Sequence, residues 1–287
     1  MTRFLLPILL ALSSSAHAIV IRDDIDDSQY RIPASEFPAL VDMPGEGHGV
    51  LIAPQWVITA AHVLPMHAGP WQAVINGTPR DVERVVVHPG YARPAQELIH
   101  QALETGEWML AVVQIASTDD IALVKLAEPV TDVVPVALHG DDDQLGRIVK
   151  IIGKGATATG AKGHDPWGPN RTELRRAYNT ITSAHGRWFC YVFDAPASAL
   201  PLEGKTGSGD SGGPALIEVD GQWKLAGLAA WGFMHGDVRT TRPGLYGQFT
   251  CNVRLSHYLE WIEGAMSDQP QAGDNHPARS MPLLGAS

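Results

Sequence analysis

The sequence predicts an all-β protein, a barrel or a sandwich, from the form of its apolar segments. These segments are short, rich in β-branched and aromatic residues, and separated by clusters of Gly, Pro and Asp, as is typical of closely spaced strands. Residues 219–222, Val-Asp-Gly-Gln, add a hairpin signal, because Asp-Gly accepts the positive φ angles of a tight turn. The chain has 287 residues, of which 45% are hydrophobic, a composition that excludes disorder of the whole.

Six apolar runs are predicted strands, and two segments have the spacing of helices. The strands are expected at 50–52, 56–59, 82–87, 121–126, 148–152 and 191–193. Residues 94–104 predict a helix, because the segment begins at a proline and Leu98, Ala102 and Leu103 share one face. Residues 256–266 predict another, with a serine in the N-cap position and apolar residues at helical spacing.

Residues 1–18 have the pattern of an export signal. A basic residue is followed by a short apolar run and then by Ala16-His17-Ala18, which matches the small residues ahead of a signal-peptidase cut. The alternative is a buried N-terminal helix, but the polar stretch that follows does not continue an amphipathic pattern. We therefore predict a signal peptide at 1–18, a folded domain over 19–265 and a flexible tail over 266–287.

Composition also limits the partners and the compartment. The formal net charge is −10, from 21 Lys and Arg against 31 Asp and Glu, which argues against a nucleic-acid or anionic-membrane surface. No apolar run has the length of a membrane span. We expect a secreted protein, extracellular or periplasmic, whose two cysteines form one disulfide, Cys190 with Cys251, or remain two separate buried thiols.

The strongest chemical signal is the hexapeptide Gly-Asp-Ser-Gly-Gly-Pro at 209–214. Glycines around Ser211 permit a sharp turn that exposes the hydroxyl and frees backbone N–H groups to stabilise an oxyanion. A serine hydroxyl also needs a base that a third group orients. His62 follows a predicted strand and Asp120 opens another, so the chain supplies both groups. Each piece alone has a structural explanation, but their joint occurrence indicates a catalytic triad.

The chain order His62, Asp120, Ser211 separates two kinds of hydrolase. Residues 209–213 also match Gly-x-Ser-x-Gly, the nucleophile elbow of α/β-hydrolases. In those enzymes the serine comes first, the acid second and the histidine last. The order found here, within strand-rich surroundings, argues against an esterase of that fold.

The chain resembles the trypsin-like, chymotrypsin-fold serine proteases. The matching motifs are Ile-Thr-Ala-Ala-His at 58–62, Asp-Ile-Ala-Leu-Val-Lys-Leu at 120–126 and the hexapeptide at 209–214, with weaker matches at 230–232 and 243–246. The resemblance implies two six-stranded antiparallel β-barrels, which meet near 130–145, an active-site cleft between them and a C-terminal helix. It further implies endopeptidase activity on protein or peptide substrates through an acyl-enzyme, without a cofactor; no metal is expected, because no histidine pair has metalloprotease spacing.

The resemblance also assigns roles residue by residue. Ser211 is the nucleophile, His62 the general base and later acid, and Asp120 the group that orients His62. The N–H groups of Gly209 and Ser211 form the oxyanion hole. The substrate-binding positions are Lys205, Ala230, Trp231, Gly232 and Gly244, of which 230–232 would pair with the substrate as an added strand.

Several positions depart from the family pattern. Lys205 stands where trypsins carry the aspartate that selects basic side chains, so cleavage after Arg or Lys is not expected. A Lys205 that points into the pocket would favour an acidic or uncharged substrate side chain, whereas one that turns to solvent would select nothing. The segment 93–118 is longer than usual, and it either overhangs the cleft or is an inert surface insertion.

Ile19 and Asp210 form the predicted activation pair. In the family, the counterpart of Asp210 pairs with a newly freed isoleucine ammonium, which orders the pocket. A signal-peptidase cut before Ile19 would free such an amine, although Ile21-Arg22 replaces two glycines of the family pattern. The alternative to an active enzyme is a protease-like binding or regulatory protein that retains the fold without turnover.

Overall fold

The computed structural model describes residues 19–65, 70–107, 109–165, 171, 173–234 and 236–267. The predicted signal peptide lies outside the described residues, as does the predicted tail beyond residue 267. Within the described ranges the chain forms fifteen strands. These are β1 Val20–Ile21, β2 Leu40–Asp42, β3 His48–Ala53, β4 Trp56–Thr59, β5 Gln72–Ile75, β6 Thr78–Val87, β7 Ala122–Leu126, β8 Ile148–Gly153, β9 Arg175–Thr180, β10 Ser183–His185, β11 Trp188–Val192, β12 Gly204–Lys205, β13 Pro214–Val219, β14 Gln222–Phe233 and β15 Phe249–Arg254.

Three α-helices accompany the strands: α1 Gln96–Thr105, α2 Met109–Ala116 and α3 Leu259–Met266. The prediction of α1 is confirmed, and the helix ends at Gly106, which takes a left-handed φ of 81° as a C-cap. The predicted start of the last helix at 256 is instead a 3₁₀ turn over residues 255–257. In the described part of the chain, no helix is both long enough and apolar enough to cross a membrane.

The strands form two antiparallel halves, which confirms the predicted fold class. The first half is a closed six-stranded barrel in the order β2-β3-β4-β7-β6-β5, and the second is a seven-stranded sheet in the order β10-β11-β15-β14-β13-β8-β9. The resemblance implies six strands in each half; the short edge strand β10 brings the second to seven. The β13–β14 hairpin turns at Asp220 and Gly221, both with positive φ, as the Asp-Gly signal predicts.

Two apolar cores support the halves, and the first also contains buried residues of β13, β14 and β15 from the second sheet. The first core includes Val50, Leu51, Ile58 and Leu123, and α3 packs Ile262 against it. The second core is lined by alternate residues of β8, β11 and β13. Complete burial of such side chains stabilises the fold by about 1.5–3 kcal/mol each. The two cores therefore contribute most of the stability of the two halves.

The two cysteines form one disulfide, Cys190 to Cys251. They are register partners on β11 and β15, with their Cα atoms 4.1 Å apart. The disulfide prediction is therefore confirmed, and the alternative of two separate thiols is excluded. The bond lies in the second half, where it ties β15 to β11.

Candidate active site

His62 and Asp120 meet because two neighbouring strands end and begin at the same edge of the barrel. β4 pairs with β7 so that Thr59 lies opposite Ala122. His62 follows β4 in a single 3₁₀ turn, and Asp120 lies two residues before the start of β7. The carboxylate Oδ2 of Asp120 lies 2.6 Å from Nδ1 of His62, and its Oδ1 accepts the backbone N–H of His62 at 2.9 Å.

This pairing controls the charge of both side chains. Burial alone would lower the pKa of His62, but the Asp120 charge and its hydrogen bond outweigh burial and raise it. Burial would likewise raise the pKa of Asp120, but the charge and hydrogen bonds of His62 outweigh it, so the carboxyl stays ionised. Asp120 is 3% exposed, whereas the His62 side chain is 32% exposed. The pair therefore presents an oriented, accessible imidazole.

Ser211 lies in a turn that packs on the first barrel, close to the residue that follows His62. The carbonyl of Ser211 accepts the N–H of His48, the first residue of β3, at 2.7 Å. A Cβ on Gly47 would touch both this carbonyl and the side chain of Val63, which follows His62. The turn that carries Ser211 and the turn that carries His62 therefore both lie against the backbone at residues 47–48.

The turn also presents two N–H groups. Gly209 and Gly212 adopt φ values of 87° and 73°, which only glycine adopts readily. Among the described residues, neither the N–H of Gly209 nor that of Ser211 donates a hydrogen bond. Such groups can receive a developing oxyanion.

A cavity of about 320 Å³ opens beside Ser211. It is lined by His164, Lys205, Thr206, Gly207, Ser208, Ala229, Ala230, Trp231, Gly232, Phe233, Met234, Pro243 and Gln248 as well as Ser211. Four of the five predicted substrate-binding residues are therefore in its wall. The fifth, Gly244, lies behind the lining, where a Cβ would meet His164 and Val20 at 3.0 Å.

One edge of β14 faces this cavity and pairs with no strand of the described residues. β13 pairs with β14 only as far as Leu228, whereas β14 continues to Phe233. On its other edge the same stretch pairs with β15, with Gly232 opposite Thr250. Residues 230–232 therefore lie on an edge of β14 that an added strand could pair with, and their role in substrate binding stays a prediction.

Ile19 and Asp210 are both fully buried and lie close together. The Asp210 carboxylate accepts the N–H groups of Gly155 at 2.7 Å and Gly207 at 2.8 Å, and the Ile19 backbone N–H acts on it as well. Burial raises the pKa of Asp210 to about 7 against these hydrogen bonds. Ile19 takes a φ of 61°, an uncommon value for a β-branched residue, as its backbone enters this site.

The insertion at 93–118 forms the α1–α2 hairpin and contacts the loop that follows β14. The N–H of Val238 donates to the Gly106 carbonyl at 3.2 Å, and Arg239 donates to the Glu104 carbonyl at 2.8 Å. At the other end of the hairpin, Trp188 Nε1 donates a hydrogen bond to the Ala116 carbonyl at 2.8 Å. Because Phe233 ends β14, Met234 follows it and both line the cavity, the insertion contacts a loop that starts at the cavity wall.

His164 is the ionisable cavity residue that sequence reasoning missed. Its Nε2 lies 3.0 Å from the Ser208 hydroxyl, and burial together with the Lys205 charge lowers its pKa to about 4. No motif surrounds it in the sequence. Contacts that are distant in the chain bring its loop to the cavity, among them the bond from its own N–H to the Pro243 carbonyl at 2.7 Å.

Comparisons with known proteins agree with this geometry. The sequence model described as Trypsin matches residues 27–262. Transmembrane protease serine 11G of Mus musculus is 27% identical over 231 residues, which are 76% of this chain and 48% of that protein. Vitamin K-dependent protein C of Rattus norvegicus is 25% identical over 249 residues, 77% of this chain and 46% of that protein. The chain thus spans about half the length of the curated relatives that it matches.

Proposed function

Because the chain belongs to the trypsin family, whose model covers residues 27–262, we propose that it is a secreted serine endopeptidase. The observation that carries the proposal is the Asp120–His62 pair, joined at 2.6 Å, beside the glycine-framed turn of Ser211. The free edge of β14 next to that turn supports a peptide or protein as the substrate.

The proposed reaction has two steps. The Ser211 hydroxyl attacks the substrate carbonyl while His62 takes its proton, and the N–H groups of Gly209 and Ser211 stabilise the oxyanion. His62 then returns the proton to the leaving amine, and the acyl group stays on Ser211 until water, activated by the same imidazole, releases it. Asp120 holds the ring orientation and stabilises its charged form, which agrees with the raised pKa of His62.

We further propose that removal of residues 1–18 during export completes the enzyme. Cleavage would turn the Ile19 N–H, which already acts on the buried Asp210 carboxylate, into an ammonium. An ammonium there would pair with Asp210 and hold the turn that carries Ser211. Sequencing the N-terminus of the exported protein tests this, since a mature chain that starts anywhere other than Ile19 contradicts it.

Labelling with a serine-directed phosphonate tests the catalytic assignment. The processed protein should be labelled at Ser211, and Ser211→Ala should not be labelled. Ser198→Ala is the matched control, because Ser198 is exposed and its hydroxyl donates to the Ala195 carbonyl. Unlabelled but correctly processed protein would favour a binding or regulatory protein, and ester turnover without any peptide cleavage would favour an esterase.

A further inference from the structure

We propose that the cavity beside Ser211 accepts an acidic side chain, the Asp or Glu that precedes the scissile bond, and that the Lys205 ammonium binds its carboxylate. This inference rests on the proposed peptidase function. It names the substrate class of the same site.

The position of the Lys205 side chain carries the proposal. Lys205 belongs to β12, which pairs with β1 in the interior, and the residue is only 6% exposed. Its Nζ lies 3.1 Å from the Thr206 carbonyl and 3.9 Å from where a Cβ on Gly232 would stand. The ammonium therefore lies at the wall of the cavity, and the alternative in which it turns to solvent is wrong.

The hydrogen bonding of this ammonium is incomplete. A lysine ammonium has three N–H donors, and among the described residues only the Thr206 carbonyl accepts one of them. No described carboxylate lies within ion-pair distance of Lys205 or lines the cavity. A buried cation without a close counter-charge is costly, so a carboxylate that enters the cavity gains a strong interaction.

The surrounding charges favour an acidic occupant over a basic one. Asp210 attracts Lys205, but its carboxylate is already held by the N–H groups of Gly155 and Gly207. Burial lowers the pKa of Lys205 to about 8, partly opposed by Asp210, so the side chain is mostly charged at neutral pH. His164, the other ionisable residue of the lining, is neutral there because its pKa is about 4, although Asp165 opposes that shift. A substrate Lys or Arg would meet a like charge.

Paired peptide substrates that differ at one residue test the proposal. We compare kcat/KM for peptides with Glu, Gln, Asp, Asn or Lys before the scissile bond, using the processed wild-type protein. Glu should exceed Gln, or Asp exceed Asn, by roughly 10- to 100-fold, the range of a charge-assisted hydrogen bond. That ratio should fall as the pH rises through about 8, where Lys205 loses its proton. Equal turnover of both members of both pairs overturns the proposal without any variant.

Two lysine variants locate the effect. Lys205→Met should remove the acidic preference while the Gln and Asn peptides are still cleaved. Lys224→Met removes the same charge from β14, opposite Ile217 and outside the cavity lining, and should keep the ratio. Should Lys205→Met fold poorly, Lys205→Arg serves instead and should retain the preference. A ratio that survives in folded Lys205→Met overturns the assignment to this residue.

A binding measurement separates this inference from the proposed function. Calorimetry on Ser211→Ala with peptide amides that end in Glu or Gln measures the pocket without turnover. A preference for Glu supports the acidic pocket even if the wild-type protein cleaves nothing, which would overturn the peptidase proposal alone. Cleavage without any preference for the acidic side chain overturns the pocket assignment alone.

Discussion

Asp120 contacts His62 through both of its carboxylate oxygens. One oxygen lies at the ring Nδ1 and the other accepts the backbone N–H, so the ring orientation and the turn are fixed together. The same contacts outweigh burial and raise the pKa of His62. Since the proposed general base must be neutral, the low-pH limb of the proposed activity should report this raised pKa.

Asp120→Asn should therefore change both the rate and its pH dependence. We expect kcat to fall by roughly 10⁴-fold, because the amide favours the wrong ring tautomer. Without the carboxylate, burial is the largest remaining influence on His62 and lowers its pKa, so the low-pH limb of kcat/KM should move to lower pH. A pH–rate profile measures both effects. An unchanged limb would show that Asp120 does not set the charge of His62.

Gly212 holds the serine turn against the first barrel. Its φ is 73°, and a Cβ there would overlap the His48 carbonyl and the Thr59 hydroxyl. Gly212→Ala should thus cost about 1–2 kcal/mol for the left-handed backbone and about 1–3 kcal/mol more for overpacking, with a loss of activity. Gly146→Ala is the matched control, since its φ is 78° and, among the described residues beyond its chain neighbours, no atom lies within 4 Å of its Cβ position. Urea unfolding measures the loss in free energy of unfolding for both variants. An equal loss would show that the packing around Gly212 contributes nothing.

At this scale the sequence predicts residues whose signal is local and misses those that depend on packing. Ser211, His62 and Asp120 each lie in a motif that can be read from neighbouring residues. The direction of the Lys205 side chain could not be predicted, because the Thr206 carbonyl and Gly232 wall that receive it are determined by the fold. His164 was missed for the same reason.

Among the elements, short apolar strands were predicted, whereas the polar strand β9 and the apolar helix α2 were not. β9, Arg175–Thr180, alternates between buried and half-buried residues, but a fully buried Arg175 occupies one inner position. Its guanidinium binds the Asp27 carboxylate at 2.7 Å, a pairing far apart in the chain that no local pattern reveals. α2, Met109–Ala116, is almost entirely apolar and thus lacks the polar face that marks a surface helix.

The α1–α2 hairpin should restrict long substrates and leave short ones unaffected. It is attached to the loop that begins at Phe233 and Met234, and so it borders the cavity where extended chains would leave β14. Replacing residues 96–116 by a short Gly-Ser linker should raise kcat/KM for folded protein substrates. A dipeptide substrate serves as the internal control, and its turnover should change by less than about twofold, since a surface loop can be exchanged without rebuilding the core. An unchanged ratio between the two substrates would identify an inert insertion.

In the molecule as a whole, the segment that begins at Ile19 is connected to the cavity, because β1 pairs with the strand that carries Lys205. β1 pairs with β12, so that Val20 lies opposite Lys205, and Ile21 donates to the Ala158 carbonyl at 3.0 Å. Ile19 itself lies in the second core beside Asp210. The proposed ammonium would therefore stabilise both the fold and the serine turn through one buried charge. Its contribution to the free energy of unfolding should depend on pH.

The stability that processing adds should depend on pH. In a chain that retains Ala18, burial raises the pKa of Asp210 from 3.8 to about 7. Below pH 3.8 the carboxyl is protonated in both the folded and the unfolded state, and no penalty arises. As the pH rises toward 7 the unfolded chain loses this proton first, so the folded state is progressively destabilised.

An Ile19 ammonium would lower the pKa of Asp210 in the folded state and remove this penalty. The free energy of unfolding, from urea titrations at several pH values, should thus favour the chain that starts at Ile19 by a margin that grows between about pH 4 and 7. With Asp210→Asn in both chains the margin should no longer vary with pH, and a margin that is constant in the parent pair would refute the ammonium–Asp210 pairing.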